Sequence, residues 1–390
     1  MPALHSTGQK RSCDLYAVNL RSFAAEIIPM SNVLIIGGGV IGLLTAWELV
    51  RSGADVTLVE MGTTGCEASW AGGGIMSPLY PWRYADSVTA LSLWSQGHYP
   101  QLCATLREET GIDPEFIRSG LLILDLQDQD QALAWGRKHQ VRIESLAPNA
   151  LCGTAPGLGP TPLAALWLPE IAQIRNPRFV KALRCLIAGQ VHIREQEEVV
   201  ELLLDSNRAV GARTRKATIA ADRVVVCSGA WTAQLFERLG NQPDIEPVRG
   251  QMILLNAKPG LVNHMVLSRD RYLIPRLDGH ILIGSTLEHQ GFVKATTTET
   301  KADLHRTAME LFPALKYAPI ANHWAGLRPS SPRGIPYIGA YPGIRGLYCN
   351  AGHYRTGLVT GPASARLAAD LLLGRTPSID PSPYALDADR

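Results

Sequence analysis

The residues with the clearest chemical purpose are Gly37, Gly39, Gly42 and Glu60. The three glycines fall at the spacing G-x-G-x-x-G, behind four β-prone apolar residues (33–36) and ahead of an apolar helical pattern. Each glycine has its own task at such a junction. Gly37 turns the chain tightly, Gly39 lets the backbone approach a pyrophosphate, and Gly42 lets the helix pack closely on the strand. The helix start at Val40 and Ile41 then points free N–H groups and a positive dipole end at the phosphates. A second strand pattern, residues 55–59, ends in Glu60, about 20 residues beyond the glycines, where a carboxylate takes the ribose hydroxyls of an adenosine. This is dinucleotide-binding chemistry. A glycine-rich turn in an ordinary strand–helix–strand unit explains neither the three glycines nor Glu60.

Two further stretches belong with that site. Residues 61–76, with Gly62, Gly65, Gly72, Gly73 and Gly74, are too glycine-rich for a helix interior or a strand. They read as a loop whose backbone closes over a flat or phosphate-bearing ligand, in preference to a flexible linker. Residues 222–227 form a continuous buried-strand pattern running into Ser228, Gly229, Ala230 and Trp231, a second small-residue turn of the kind that approaches a cofactor. The ten histidines show no metal-ligand spacing. The seven cysteines are scattered, odd in number and never in C-x-x-C, which argues against a disulfide framework or a zinc site and fits reduced thiols in a cytoplasm.

The elements that must position these residues alternate between two textures. Residues 87–110 have helical spacing, 120–125 read as a strand, 129–138 as a helix, and 146–162 as a Pro/Gly-rich connection. A short strand is expected at 164–169. Asn176 and Pro177 open a helix over 179–187, with proline at a helix start. Residues 191–193 and 197–204 resemble strands of a small meander. From 247 to 287 the texture becomes alternating strands (251–255, 272–276, 280–285), with Asp278 and Gly279 as a hairpin signal. A helix follows with Thr300 as its expected N-cap, ended by Pro313. The chain then returns to a strand (346–350), a turn (351–357) and a helix (358–373).

At 390 residues the default is two domains sharing a large core. With 46% hydrophobic and 18% charged residues the composition is globular. A formal net charge of +2 gives no reason to expect nucleic acid or an anionic membrane as partner. No apolar run approaches the roughly 20 residues of a spanning helix. Residues 1–29 lack a signal-peptide pattern and are expected to be a poorly ordered extension or an upstream start.

Several separated pieces agree on one family. They are the glycine motif with Glu60, the C-S-G-A-W turn at 227–231, P-V-R-G-Q at 247–251, R-Y-L-I-P-R at 271–276, W-A-G-L-R-P at 324–329 and G-H-Y-R-T-G at 352–357. Together they resemble the D-amino-acid oxidase superfamily of FAD enzymes, and most closely the glycine oxidases linked to thiamine biosynthesis. The resemblance covers residue 31 to the C-terminus. It implies an α/β fold in which a Rossmann-like FAD-binding domain of glutathione-reductase type is interleaved with a mixed β-sheet substrate domain. The first would take residues 31–112, 171–246 and 323–390; the capping domain would take 113–170 and 247–322; and 1–30 would precede both.

The resemblance further implies non-covalent FAD. Its pyrophosphate would lie on Gly37, Gly39, Val40, Ile41 and Gly42, with Glu60 and Met61 at the adenosine and Val199 at the adenine. Ala68, Ser69, Gly73, Gly74 and Ile75 match the loop along the ribityl chain and ring, and Gly229 lies in the second small-residue turn. Gly352, His353, Tyr354, Arg355, Thr356, Gly357 and Leu358 match the turn at the flavin's pyrimidine edge. A helix dipole there stabilises negative charge on reduced flavin. Arg328 matches the carboxylate anchor, Arg355 stands close by, and Tyr272 matches a tyrosine that helps hold the carboxylate. Taken singly, Arg328 is also readable as a surface residue of a Pro/Ser loop, Arg355 as a helix-start ion-pair residue, and Tyr272 as a core tyrosine. His353 either polarises the flavin edge or packs in its turn, and packing is favoured.

The family pattern is not matched everywhere. A second active-site tyrosine is replaced by Leu267, a pocket methionine by Leu287, and a loop methionine by Ile75. The implied activity is oxidation of the C–N bond of glycine, sarcosine or a small D-amino acid. It would proceed by hydride transfer to flavin, then give a 2-oxo acid, ammonia and, with oxygen as acceptor, hydrogen peroxide. The alternatives are a dehydrogenase of the same fold passing electrons to a quinone or protein, and a flavoprotein without turnover.

Overall fold

The computed structural model describes residues 32–124, 127–159 and 165–390. The expected N-terminal extension, Asp125 of the 120–125 strand and residues 160–164 lie outside them.

Two large sheets organise the structure. The first has six strands, and Asn32–Ile36 lies in its middle between the parallel strands Asp55–Val59 and Arg223–Val226. Val191–Arg194 continues it on one side, and Leu347–Ala351 with the antiparallel edge Tyr337–Ala340 on the other. Strands Asn32–Ile36 and Leu347–Ala351 read as near-continuous apolar runs because both faces of a parallel sheet are covered. Helices Val40–Val50, Asp86–Thr110, Asn176–Ile187 and Gly357–Leu372 bury one face over a core that includes Leu43, Phe179, Leu183 and Ala369. The three-stranded sheet from Val199–Asp205, Arg208–Thr214 and Thr218–Ala220 packs on the other through Leu202, Ala212 and Val224.

The register matters for function. Ile36 pairs with both Val59 and Val226, and Val226 with Cys349. The chain therefore leaves the sheet at one edge in four places, through Gly37, Glu60, Cys227 and Gly352. In open parallel sheets, ligands bind outside the carboxyl ends of the strands.

The second sheet has eight strands and includes the long antiparallel pair Glu246–Asn256 and Ile320–Ser330, together with Arg271–Pro275 and His280–Gly284. Residues 323–330, expected with the nucleotide-binding segments, thus lie in this sheet, because the strand begun at Ile320 pairs with Glu246–Asn256 along its whole length. Three local expectations also shift. Pro148–Thr154 is a short helix inside the expected connection, with Pro148 at its start and Leu151 buried. Thr297, and not Thr300, caps helix Thr298–Leu311, its side chain accepting the Thr300 N–H. The 197–204 strand is set back to Val199–Asp205. Among the described residues no helix is long and apolar enough to cross a membrane.

Candidate active site

A cavity of about 420 Å³ opens at the carboxyl ends of the parallel strands and runs in under the larger sheet. Its walls include Gly37, Gly39, Val40, Ile41, Glu60, Met61, Ala68, Ser69, Gly73, Gly74, Ile75, Val199, Gly229, Gly352, His353, Tyr354, Arg355, Gly357 and Leu358, and also Tyr272 and Arg328. Two of the residues singled out from sequence, Gly42 and Thr356, do not line it. Both stand behind it and hold the turns that do.

At the first turn Gly37 has φ +109°, and an added Cβ would lie 2.5 Å from the Cys227 carbonyl oxygen. Gly42 is tighter still, since a Cβ there would sit 1.9 Å from the Gly37 carbonyl oxygen. The helix Val40–Val50 begins at Gly39 without a side-chain cap of its own. Ser69, from the glycine-rich loop, instead accepts the Val40 N–H at 2.8 Å. Glu60 is buried and accepts the N–H groups of Gly38 (2.7 Å) and Gly62 (2.8 Å), one on each carboxylate oxygen. Burial raises its pKa against the pull of those two bonds. Each oxygen keeps a further lone pair, which suits it to a pair of vicinal hydroxyls.

The loop after Glu60 is clamped from behind. Arg276, almost fully buried, donates to the Gly73 carbonyl (2.8 Å), the Ile174 carbonyl (2.9 Å) and Gln173 Oε1 (2.7 Å). Burial among neutral acceptors lowers its pKa to about 10. At the last turn Gly352 takes φ +79°, and the Thr356 hydroxyl donates to the His353 carbonyl at 3.0 Å where helix Gly357–Leu372 begins.

His353 is neutral. Burial pushes its pKa down to about 3. Its Nε2 lies 3.0 Å from the Ser364 hydroxyl, which is also 3.0 Å from the Thr360 carbonyl. A linkage follows. The unfolded chain takes up a proton near pH 6.5 that the folded state refuses until about pH 3, so stability falls as pH drops through that window. Between pH 7 and 5 the loss should be about 2 kcal/mol. In His353→Asn this part of the pH slope should vanish from denaturation curves.

The substrate end is built on the larger sheet. Arg328 on strand Ile320–Ser330 pairs with Val248 and reaches across to the segment after His280–Gly284. Its Nη1 donates to the Thr286 carbonyl (3.1 Å) and its Nη2 to Ser285 Oγ (2.5 Å). Both acceptors are neutral. Neither Arg328 nor Arg355 has a carboxylate partner among the described residues. Tyr272 is buried, its hydroxyl 3.7 Å from Met252 Sδ. Tyr84 lies close enough that both arginines bear on its hydroxyl, although burial dominates and raises its pKa.

The Arg328 guanidinium lies directly over Gly250, where a Cβ would come within 2.1 Å of Nη1. Gly250→Ala should therefore displace the guanidinium and raise the Michaelis constant of a carboxylate substrate by about tenfold, or about 1.4 kcal/mol. Steady-state kinetics on the FAD-loaded enzyme would show it. Sequence reasoning quoted Gly250 without giving it a role. A glycine inside a strand marks a close approach, but the strand expected from sequence began at 251, and only the observed strand Glu246–Asn256 contains Gly250. Ser285 and Met252, which also line the cavity, carried no such signal. Of the three residues that depart from the family pattern, Ile75 lines the cavity. Leu267 is buried in the sheet core beside Tyr272, and Leu287 is 42% exposed.

A family model for FAD-dependent oxidoreductases, termed DAO, matches residues 32–371. The chain belongs to that family. It is 51% identical over 356 residues to glycine oxidase of Pseudomonas aeruginosa, covering 91% of this chain and 98% of the relative. It is 28% identical over 349 residues to the bifunctional protein ThiO/ThiG of Nostoc, covering 88% of this chain and 52% of that longer protein. The crystal structure of glycine oxidase from Geobacillus kaustophilus superposes with a TM-score of 0.88 at 30% identity, over 92% of this chain and 100% of that one.

FAD is thus the cofactor of this DAO enzyme, and the cavity suits it. Gly37 and Gly42 let the turn close against Cys227 and on itself, and the backbone at Gly39, free of a side chain, lines the cavity where a pyrophosphate would lie. Glu60 presents spare acceptors for ribose. Cys349, the cysteine nearest the last turn in sequence, is fully buried in its strand and absent from the cavity wall. Burial raises its thiol pKa far above the ordinary value, which removes the nucleophilic thiolate a covalent flavin link would need.

Proposed function

We propose that this enzyme oxidises glycine, or an amine of similar size carrying a carboxylate, to the imine, and that the imine is hydrolysed to the 2-oxo acid and ammonia. The observation that carries the proposal is Arg328, a guanidinium in the cavity wall held by two neutral oxygens, with Tyr272 lining the same cavity. A carboxylate can take the remaining donors bidentately, which fixes orientation as well as charge.

Bound FAD supplies a two-electron acceptor. The chain's own part is placement. The residues against the Arg328 guanidinium, Gly250, Ser285 and Thr286, carry no carboxylate or imidazole. In this reading the substrate amine loses its proton to solvent, and the chain holds Cα in line rather than moving protons there. Met252, Tyr272 and Ile75 put bulky side chains in the same cavity wall and limit its space, which favours small substrates.

The cofactor residues assigned from sequence keep their roles in this reading: Glu60 and Met61 at adenosine, Val199 at adenine, the loop to Ile75 along the ring, and the Gly352–Leu358 turn at the pyrimidine edge. So does the division into FAD-binding and capping domains, with the change at Ile320 noted above. Oxygen as acceptor and a cytoplasmic location complete it. Kinship with the ThiO/ThiG protein of Nostoc supports a place in thiamine biosynthesis.

The test is anaerobic. Purified yellow protein is mixed separately with glycine, sarcosine, D-alanine, D-proline and glycerol 3-phosphate, and the visible flavin band is followed. Bleaching by glycine or sarcosine supports the proposal; bleaching by glycerol 3-phosphate alone removes it. Admitting oxygen then separates oxidase from dehydrogenase, since an oxidase releases peroxide at the rate of turnover.

A further inference from the structure

Behind Arg328 lies a second set of charges that does not line the cavity, with Arg249 buried and Glu288 partly exposed. Glu288 receives four hydrogen bonds from three residues. Thr286 Oγ1 donates to Oε1 at 2.5 Å, Gln251 Nε2 donates to Oε1 at 2.9 Å, and Arg249 donates from Nε at 3.0 Å and from Nη2, both to Oε2. The backbones of Arg249 and Glu288 also bond to each other in both directions, at 2.9 and 3.0 Å. Gln251 is completely buried, and its backbone N–H donates to Thr286 Oγ1 at 2.9 Å. Thr286 is thus held at its hydroxyl by this set, while its carbonyl receives Arg328.

We propose that Glu288 is a positioning residue for the carboxylate anchor: acting through Thr286, it fixes the carbonyl that aims the Arg328 guanidinium, while Arg249 cancels its charge. The inference rests on the reading of Arg328 as that anchor. The arrangement solves a specific problem. A guanidinium aimed by direct contact with a carboxylate would be neutralised and have its fork occupied before substrate arrived. Setting the carboxylate one residue back, paired with its own arginine, keeps the aim and leaves the charge of Arg328 for the ligand. Gly250 completes the seat from the facing strand by leaving the plane of the guanidinium free.

A positioning role and a role in folding differ in what they move. Glu288→Gln keeps the shape but loses the charge that holds Arg249. Thr286→Val keeps the carbonyl but loses the hydroxyl link. The probe is glycolate, a carboxylate without an amine, titrated into each FAD-loaded enzyme by the change in the flavin spectrum, beside steady-state kinetics with glycine. Each variant should raise the glycolate Kd and the glycine KM by about tenfold, with kcat at saturation within about twofold of the parent. The double variant should be no worse than the more damaging single one, because both cut the same link.

Glycolate affinity within about twofold of the parent in both single variants overturns the proposal, as does loss confined to FAD content or melting temperature. Should Glu288→Gln fail to fold, the milder Thr286→Val decides. Arg328→Ala separates this inference from the reading beneath it. Unchanged glycolate affinity there removes the anchor and the proposal together. Loss there, with parent-like affinity in Glu288→Gln and Thr286→Val, overturns the proposal alone.

Discussion

Alanine at Arg328 should lower kcat/KM for glycine by about a thousandfold, corresponding to about 4 kcal/mol, within the range for truncating one partner of a buried charged hydrogen-bonded pair. Most of the loss should appear in KM, because the carboxylate is held alike in the ground and transition states. FAD should stay bound, since Arg328 sits on the larger sheet and away from the glycine turns that line the pyrophosphate end. Arg328→Lys keeps the charge but loses the planar fork, and the Ser285 and Thr286 acceptors are spaced for two guanidinium nitrogens. It should recover only part of the affinity, leaving a deficit of about tenfold to a hundredfold. Anaerobic flavin reduction across a range of glycine concentrations separates binding from hydride transfer. Parent-like half-saturation in Arg328→Ala would falsify the assignment.

What could be read from the residues alone depended on whether their partners were near in sequence. The nucleotide half was legible because its signal is local: β-prone runs feed directly into Gly37 and Glu60, and backbone conformation dictates the residue type. Gly37 had to be glycine for its φ of +109°, and that requirement is written at the position itself. The seat of Arg328 was not legible, for the opposite reason. It joins Gly250 and Arg328 from two strands with Ser285 and Thr286 from the segment that follows a third, and antiparallel register brings them together only once the sheet is formed. The same holds for Leu267 and Leu287. Alignment to a family pattern placed both at the pocket. One, Leu267, pairs directly with Tyr272 and shares its face of the sheet, but it is fully buried in the apolar cluster there and does not reach the cavity wall. The other lies past the strand's end, where the chain turns outward.

The other large effect concerns Gly42, which touches no ligand. A methyl group there would sit 1.9 Å from the Gly37 carbonyl oxygen, about an ångström inside any tolerable approach, and the obstacle is backbone that cannot rotate aside. The first turn of helix Val40–Val50 must then lift from the strand exit, and the N–H groups that face the pyrophosphate move with it. Gly42→Ala should therefore cost about 3 kcal/mol of stability. It should also weaken FAD binding by about a hundredfold or more, so that the protein purifies largely colourless. A comparison isolates the cause. At Gly53, φ is +83° with nothing within 4 Å of a Cβ, so Gly53→Ala should cost only the left-handed backbone term, about 1 kcal/mol, and leave FAD content unchanged. If Gly42→Ala retained FAD as well as Gly53→Ala does, the helix would be free to shift without disturbing the site. The close packing of helix on strand would then be a matter of stability alone and not of cofactor placement.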